Sequence, residues 1–270
     1  MRKLIIRPGG IGDCILSLPA IEYLRTEQTE VWVPSAILPL IRGVPSRAIA
    51  STGIDLLGLP GVEPPPGLMA KLRSFDSIVS WYGANRLEFR EQVMALGLPF
   101  QFLDALPAPD ANIHAADFFL KQVGGDGIGI PTIECERRPR GDFAVIHPFS
   151  GSPRKNWPLE RFREVAVRLG LPVRWCAGPE ESIDDAVRFE NLYELACWLA
   201  SARVYIGNDS GITHLAAAVG TPVVAIFGPT DPAVWAPRGE RVSVLSGDRL
   251  EEITADEVLR AARQWSGTRL

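Results

Sequence analysis

The stretch that most restricts the fold is Tyr205 to Pro232, YIGNDSGITHLAAAVGTPVVAIFGPTDP. Its apolar opening, Val204-Tyr205-Ile206-Gly207, predicts a buried strand, and the polar group Asn208-Asp209-Ser210-Gly211 turns that strand into a small-residue helix from Ile212 to Val219. Gly220-Thr221-Pro222 stops the helix. A second apolar run, Val223 to Phe227, has the length and branching of another buried parallel strand and ends in the turn Gly228-Pro229-Thr230-Asp231-Pro232. A strand, helix, strand unit of this kind belongs to an α/β sheet.

The join between strand and helix is where chemistry is expected. The first N–H groups of a helix lack internal partners and carry the positive end of its dipole, so a helix opened by Asp209, Ser210 and Gly211 suits a phosphate or diphosphate. Gly211 is expected to let the anion approach the backbone. His214, four residues after Ser210, falls on the same helix face. Asp209 repels phosphate, so it either caps the helix or points at sugar hydroxyls. An ordinary N-cap remains the competing reading of this spacing.

The chain has 270 residues, 46% of them apolar, enough for two domains with separate cores. Lys plus Arg number 28 against 32 Asp plus Glu, with no long run of either sign, which disfavours a nucleic-acid partner. The cysteines, Cys14, Cys135, Cys176 and Cys197, are scattered without CxxC spacing and read as reduced thiols. No apolar run reaches about 18 residues, and Leu4-Ile5-Ile6 followed at once by a glycine turn does not read as a signal peptide. A cytoplasmic protein without a transmembrane segment is expected.

In the first half, Lys3 to Arg7 predicts a strand, Pro8 to Asp13 a turn, and the next residues an apolar helix to about Arg25. The order suggests dinucleotide binding, but G-x-G-x-x-G fails: Gly10 and Gly12 would need a glycine or alanine where Ile15 stands, and Glu30 precedes Val31-Trp32-Val33 instead of following it. No nicotinamide or flavin cofactor is expected. Asp13 sits near the carboxyl end of the first strand, where open parallel sheets place ligands, with helix capping as its alternative role. A strand is expected near Ile49 to Leu57 and another at Ser77 to Trp81. Helices are expected at Arg86 to Leu96 and at Asn112 to Val123, the latter capped by Asn112. Trp81, Tyr82, Arg86 and Arg90 are acceptor-side candidates set against packing or surface roles.

Gly124 to Arg140 is glycine-rich and then charged, which divides the chain into domains 1–134 and 135–270. Phe143 to His147 then predicts a strand, followed by a turn carrying Ser150, Gly151, Ser152, Arg154 and Lys155, with Pro158 opening a helix to Leu169. Hydroxyls, free N–H groups and a mobile cation are what a diphosphate site needs, although this is not the P-loop pattern, and a surface lysine is the plain alternative. Val173 to Ala177 predicts a strand with Glu180 and Glu181 near its end, and Leu192 to Ala202 a helix. Thr254-Ala255-Asp256-Glu257 is a capping box opening a terminal helix to about Trp265, which could lean back on the first domain. His114, His147 and His214 show no zinc-binding spacing, so no metal is expected.

Three runs together resemble glycosyltransferase family 9, the family of lipopolysaccharide heptosyltransferases. They are Gly12-Asp13 with Pro19 beyond, His147-Pro148 followed by Lys155-Asn156-Trp157-Pro158, and Gly207-Asn208-Asp209-Ser210-Gly211 with His214 and Phe227-Gly228-Pro229-Thr230-Asp231-Pro232. The chain differs in being short for the family and in having Pro8 where an aliphatic residue is usual. The resemblance implies a GT-B fold, two facing doubly wound Rossmann-like lobes with a cleft between them. It implies acceptor binding by the first lobe, with Gly10 and Gly12 beside Asp13 as general base. It also implies that Ser150, Ser152, Lys155, Asp209, Ser210, Gly211 and His214 bind the donor diphosphate and sugar, with Glu180 or Glu181 on the ribose. The implied reaction is inverting transfer of a heptose-like sugar from an ADP-sugar to a saccharide or lipid-linked saccharide of the bacterial envelope. Any contact with the inner membrane would be peripheral. Expulsion of a diphosphate, already a good leaving group, needs one base and a clamp for the departing charge. A sugar-nucleotide epimerase and a non-catalytic sugar-nucleotide or glycan-binding protein share these features and stay open.

Overall fold

A computed structural model describes residues 1–59, 61–108, 110–136 and 139–266. The first lobe runs β1 (Lys3–Ile6), α1 (Ile11–Leu16), α2 (Leu18–Leu24), β2 (Thr29–Val33), β3 (Ser46–Ala48), α3 (Leu68–Arg73), β4 (Ser77–Ser80), α4 (Leu87–Ala95), β5 (Phe100–Phe102) and α5 (Ala115–Gln122). The second runs β6 (Ala144–His147), α6 (Leu159–Arg168), β7 (Val173–Trp175), α7 (Leu192–Ala200), β8 (Val204–Asn208), α8 (Gly211–Ala218), β9 (Val223–Phe227), α9 (Pro232–Trp235), β10 (Val242–Ser246) and α10 (Ala255–Ser266).

Each lobe holds a five-stranded sheet, in the orders β3-β2-β1-β4-β5 and β10-β9-β8-β6-β7, and every pairing is parallel. Inner strands such as β1, β4, β6, β8 and β9 are buried on both faces because helices cover both sides, whereas the edge strands β3, β5, β7 and β10 are only partly buried. Their alternation shows in the cores: Ile5, Val31 and Val79 pack on one face of the first sheet, Leu4, Ile6 and Ile78 on the other. In the second, Val145, Tyr205 and Ala225 face one layer, and Ile146, Ile206 and Ile226 the other. Strand order reverses between β1 and β4 and between β6 and β8. Ligands bind beyond the carboxyl ends of strands at such switch points, so the turns after β1, β6 and β8 become the places to look.

The lobes are packed against each other. Ile15 and Leu40 of the first lobe are buried in the same cluster as Leu195, Leu215 and Ala216 of the second. Arg238 grips Asp117 with both terminal guanidinium nitrogens, one at 2.6 Å, and His114 Nε2 lies 2.8 Å from the Ala236 carbonyl. The crossover lies in 123–143; Arg137 and Arg138, in the charged run read as the boundary, fall outside the described residues. Ile133 donates its N–H to Ala218 O at 2.9 Å and is buried with second-lobe residues, so we propose the division at residues 131–134.

Several expectations need correction. The chain between Ile49 and Leu57 is not a strand: β3 ends at Ala48, and two 3₁₀ turns follow, Ile49–Ser51 and Ile54–Leu56. Gly53, at φ 72° between them, takes the left-handed backbone that breaks extension. The cap of α5 is His114, whose Nδ1 accepts the Ala116 N–H at 3.2 Å, not Asn112. Thr254 and Glu257 do form the reciprocal box opening α10, with Thr254 N–H 2.8 Å from Glu257 Oε2. That helix, for which a return to the first domain was one option, buries Val258, Leu259 and Ala262 against the second sheet and α6.

Candidate functional site

In the second lobe, Asn208 at the end of β8 joins two turns. Its side chain donates to Pro148 O at 2.8 Å and accepts the Trp157 N–H at 3.0 Å, so the whole turn after β6 is fastened to the strand that carries α8. The result places Lys155 Nζ 2.7 Å from Asp209 Oδ2. Asp209 is therefore neither a helix cap nor free; Ser210 caps α8, its Oγ accepting the Thr213 N–H. The N–H groups of Ser210, Gly211 and Ile212 have no acceptor among the described residues, as the first turn of a helix requires. Ser150 Oγ bonds Ser152 O and Asn156 Oδ1, at 2.8 and 2.7 Å, which fixes the turn.

In the first lobe, Asp13 stands at the third position of α1 and its Oδ2 accepts the Gly10 N–H at 2.9 Å. Arg7 lies beneath it, fully buried, donating to Asp13 O at 3.0 Å and Ala105 O at 3.2 Å while its guanidinium stacks 4.3 Å from the Phe119 ring centroid. This cation thus fixes the backbone that carries Asp13. Helix α1 then meets α8 across the lobe boundary. A Cβ on Gly211 would stand 2.6 Å from Ile11 Cβ and 3.0 Å from Gly12 N, and one on Gly12 would stand 3.1 Å from His214 Cδ2. A side chain at Gly211 would run into the other lobe, a reason for glycine beyond the expected approach of an anion.

These groups share one cavity of about 700 Å³ between the lobes. Gly10, Gly12 and Asp13 line it from the first lobe, and Ser150, Lys155, Glu181, Asp209, Ser210, Gly211 and His214 from the second. His214 is buried, with Nδ1 unpartnered among the described residues; burial pushes its pKa down to about 4 although Asp209 and Asp13 pull upward. Glu181 Oε2 takes the Gly178 N–H at 2.6 Å and faces His147 Nε2 at 3.0 Å, whereas Glu180 is exposed and outside the lining. Burial acts against the charged form of Glu181, and the His147 and Gly178 hydrogen bonds outweigh it, holding the carboxyl below its usual range.

Other candidates fall elsewhere. Trp81 is a core residue, its Nε1 2.9 Å from Gln122 Oε1, and so is no acceptor contact. Tyr82 packs edge-on to Phe89 and accepts from Arg86 at 3.0 Å, outside the cavity lining, and Arg90 donates to Ala84 O. Ser152 contributes its carbonyl to the turn and is also absent from the lining. Sequence reasoning gave no role to Arg7, His147 or Asn208, nor to the apolar wall of Ala177, Phe189 and Leu192. A polar residue at the end of an apolar strand was the available signal for all three polar groups.

Residues 131–261 match the model of glycosyltransferase family 9 (heptosyltransferase). Lipopolysaccharide heptosyltransferase 1 of Escherichia coli O18:K1:H7 is 29% identical over 137 residues, 44% of this chain and 41% of its own length. Lipopolysaccharide heptosyltransferase 3 of Escherichia coli is 38% identical over 138 residues, 43% of this chain and 40% of its own length. The matched part thus spans about two fifths of these curated relatives. Among solved structures, the family 9 glycosyl transferase from Veillonella parvula DSM 2008 has a TM-score of 0.75 at 19% identity, covering 98% of this chain and 97% of its own. The E. coli ADP-heptose lps heptosyltransferase II has a TM-score of 0.70 at 19% identity, with 98% of each chain covered. These likenesses establish the two-lobed fold, and residues 131–261, just under half of the chain, are similar to glycosyltransferase family 9.

Proposed function

We propose that the protein is an inverting glycosyltransferase that moves a heptose-like sugar from an ADP-sugar to a saccharide or lipid-linked saccharide of the bacterial envelope. The observation that carries this reading is the meeting, on one cavity, of a carboxylate from the first lobe with a lysine and a free helix start from the second. The diphosphate would lie on the N–H groups of Ser210, Gly211 and Ile212 with Lys155 beside it, where positive charge is already fixed. Asp13, whose Oδ1 is left open by the cap, would take the proton of the attacking hydroxyl. Attack from the first-lobe side and departure toward the second would invert the anomeric centre. Asp209 would keep Lys155 oriented and reach sugar hydroxyls. E. coli heptosyltransferase WaaC has been solved with ADP and with ADP-2-deoxy-2-fluoro heptose, which favours the ADP-sugar here. No described helix is long and apolar enough to cross a membrane. The reading carries with it a cytoplasmic site of action, peripheral to the inner membrane wherever the acceptor is lipid-linked.

Calorimetry on Lys155→Ala checks the donor half. Loss of a charge-assisted contact should weaken ADP binding about 10- to 100-fold, or about 1.5 to 3 kcal/mol. Because the variant also bares the Asp209 carboxylate, the double variant Lys155→Ala with Asp209→Asn separates the two, and should recover part of the loss. Wild-type affinity in Lys155→Ala would remove the lysine from the site.

A further inference from the structure

The histidine at the end of β6, which bonds Glu181, has no step in the proposed transfer. His147 is 3% exposed, and the only hydrogen bond of its side chain among the described residues joins Nε2 to Glu181 Oε2 at 3.0 Å. A carboxylate only accepts, so Nε2 carries the proton; Nδ1, buried and unpartnered, is then a lone pair and not a stranded N–H. The Gly178 N–H converges on the same oxygen at 2.6 Å. Two donors therefore fix Oε2, and among the described residues no hydrogen bond falls on Oε1, although Glu181 lines the cavity. A turn would need only the Gly178 contact. A buried imidazole with one ring nitrogen unsatisfied costs stability that an apolar residue at the same place would not, so its presence calls for a function.

We propose that His147 is a positioning residue that presets Glu181 to accept hydrogen bonds from the ribose hydroxyls of the donor nucleotide. This rests on the donor reading above and specifies its nucleoside end. The loop after β7 that carries Glu181 also supplies Ala177 and Pro179 to the lining, with Phe189 and Leu192 close behind in the chain. One loop thus offers a carboxylate and an apolar wall, which match the diol and the flat base of a ribonucleoside. Glutamate has enough rotamer freedom that an untethered side chain would be ordered only on binding, with a loss of affinity. Here contacts within the protein, from His147 and Gly178, supply that ordering. The ribose is recognised by a carboxylate held at one oxygen and open at the other.

The test is the ratio of dissociation constants for 2′-deoxy-ADP and ADP, measured by calorimetry. Wild-type protein should prefer ADP by about tenfold or more, equivalent to about 1.4 kcal/mol. His147→Leu should bring the ratio close to one, mainly by weakening ADP. His147→Gln, whose amide nitrogen can stand near the position of Nε2, should keep most of the preference. Should His147→Leu fail to fold, His147→Met makes the same test with an unbranched side chain. A histidine that only supports the fold would weaken both nucleotides alike and leave the ratio unchanged, which overturns the proposal. So would wild-type protein that binds ADP with no preference. Wild-type protein that binds neither nucleotide overturns the donor reading itself, and this assignment with it.

Discussion

His214 lies within the influence of two carboxylates, Asp209 and Asp13, yet is held uncharged near neutrality. Burial removes more from the imidazolium than the carboxylates return, and Lys155 and His114 add to the effect. The folded pKa, about 4, lies below the ordinary value of 6.5, so the unfolded chain binds the extra proton first as pH falls. The stability contributed by a neutral His214 is therefore complete above pH 6.5 and is lost progressively down to about pH 4. The total is on the order of 3 kcal/mol, with a slope approaching 1.4 kcal/mol per pH unit. Urea unfolding from pH 7 to 4.5 should show this decline in the wild type and a shallower one in His214→Gln. Parallel curves would mean that the imidazole is protonated inside the fold at little cost.

At the scale of elements, the contact between α1 and α8 does two jobs. It joins the lobes, and it brings the residue after Gly12 to the same cavity as the start of α8. Gly211→Ala should therefore cost stability even without ligand, because its Cβ would meet Ile11 Cβ at 2.6 Å with backbone behind it. Overpacking of this kind costs about 1 to 3 kcal/mol, read as a lower urea midpoint with an unchanged slope. Gly151→Ala, with nothing within 4 Å of a new Cβ, is the matched control. Equal midpoints for the two variants would show that α1 yields to the methyl group.

This contact also marks what sequence could and could not convey. The strands β1, β4, β6, β8 and β9 and the turns after them were legible, because a buried parallel strand is a continuous apolar run ended by a polar or glycine turn. The short β5 and the half-exposed edge strand β10 carry no such run and were missed. Asp13, Lys155 and the Ser210 turn were legible from residue type beside a strand end. The lobe contact at Gly211 was not, since spacing along one helix says nothing about which partner covers it. Trp81 was misread for a related cause: it continues β4 into the core beneath Arg7 instead of opening toward the cavity. Glu180 and Glu181 are adjacent in sequence, and only the fold of their loop turns one inward.

For the whole molecule, the proposed reading divides the labour between the lobes. The second lobe lines the cavity with the turns after β6 and β8, the Lys155–Asp209 pair and Glu181, which would take the donor; the first lines it with Asp13 on α1, held from below by Arg7, which would act on the acceptor. Binding of donor and activation of acceptor should therefore be separable by mutation, one lobe at a time. Asp13→Asn tests this most directly, because asparagine still accepts the Gly10 N–H and keeps the helix start while losing the capacity to take a proton. The measurement is a pair on the same purified variant: the dissociation constant for ADP, and the rate of ADP release from ADP-heptose with a lipopolysaccharide-core saccharide. The account expects the rate to fall by about 10² to 10⁴, or about 3 to 5 kcal/mol of barrier. It expects affinity for ADP to stay within about twofold, or about 0.4 kcal/mol. An Asp13→Asn enzyme that transfers at the wild-type rate, or one that loses rate and ADP affinity together, would contradict it.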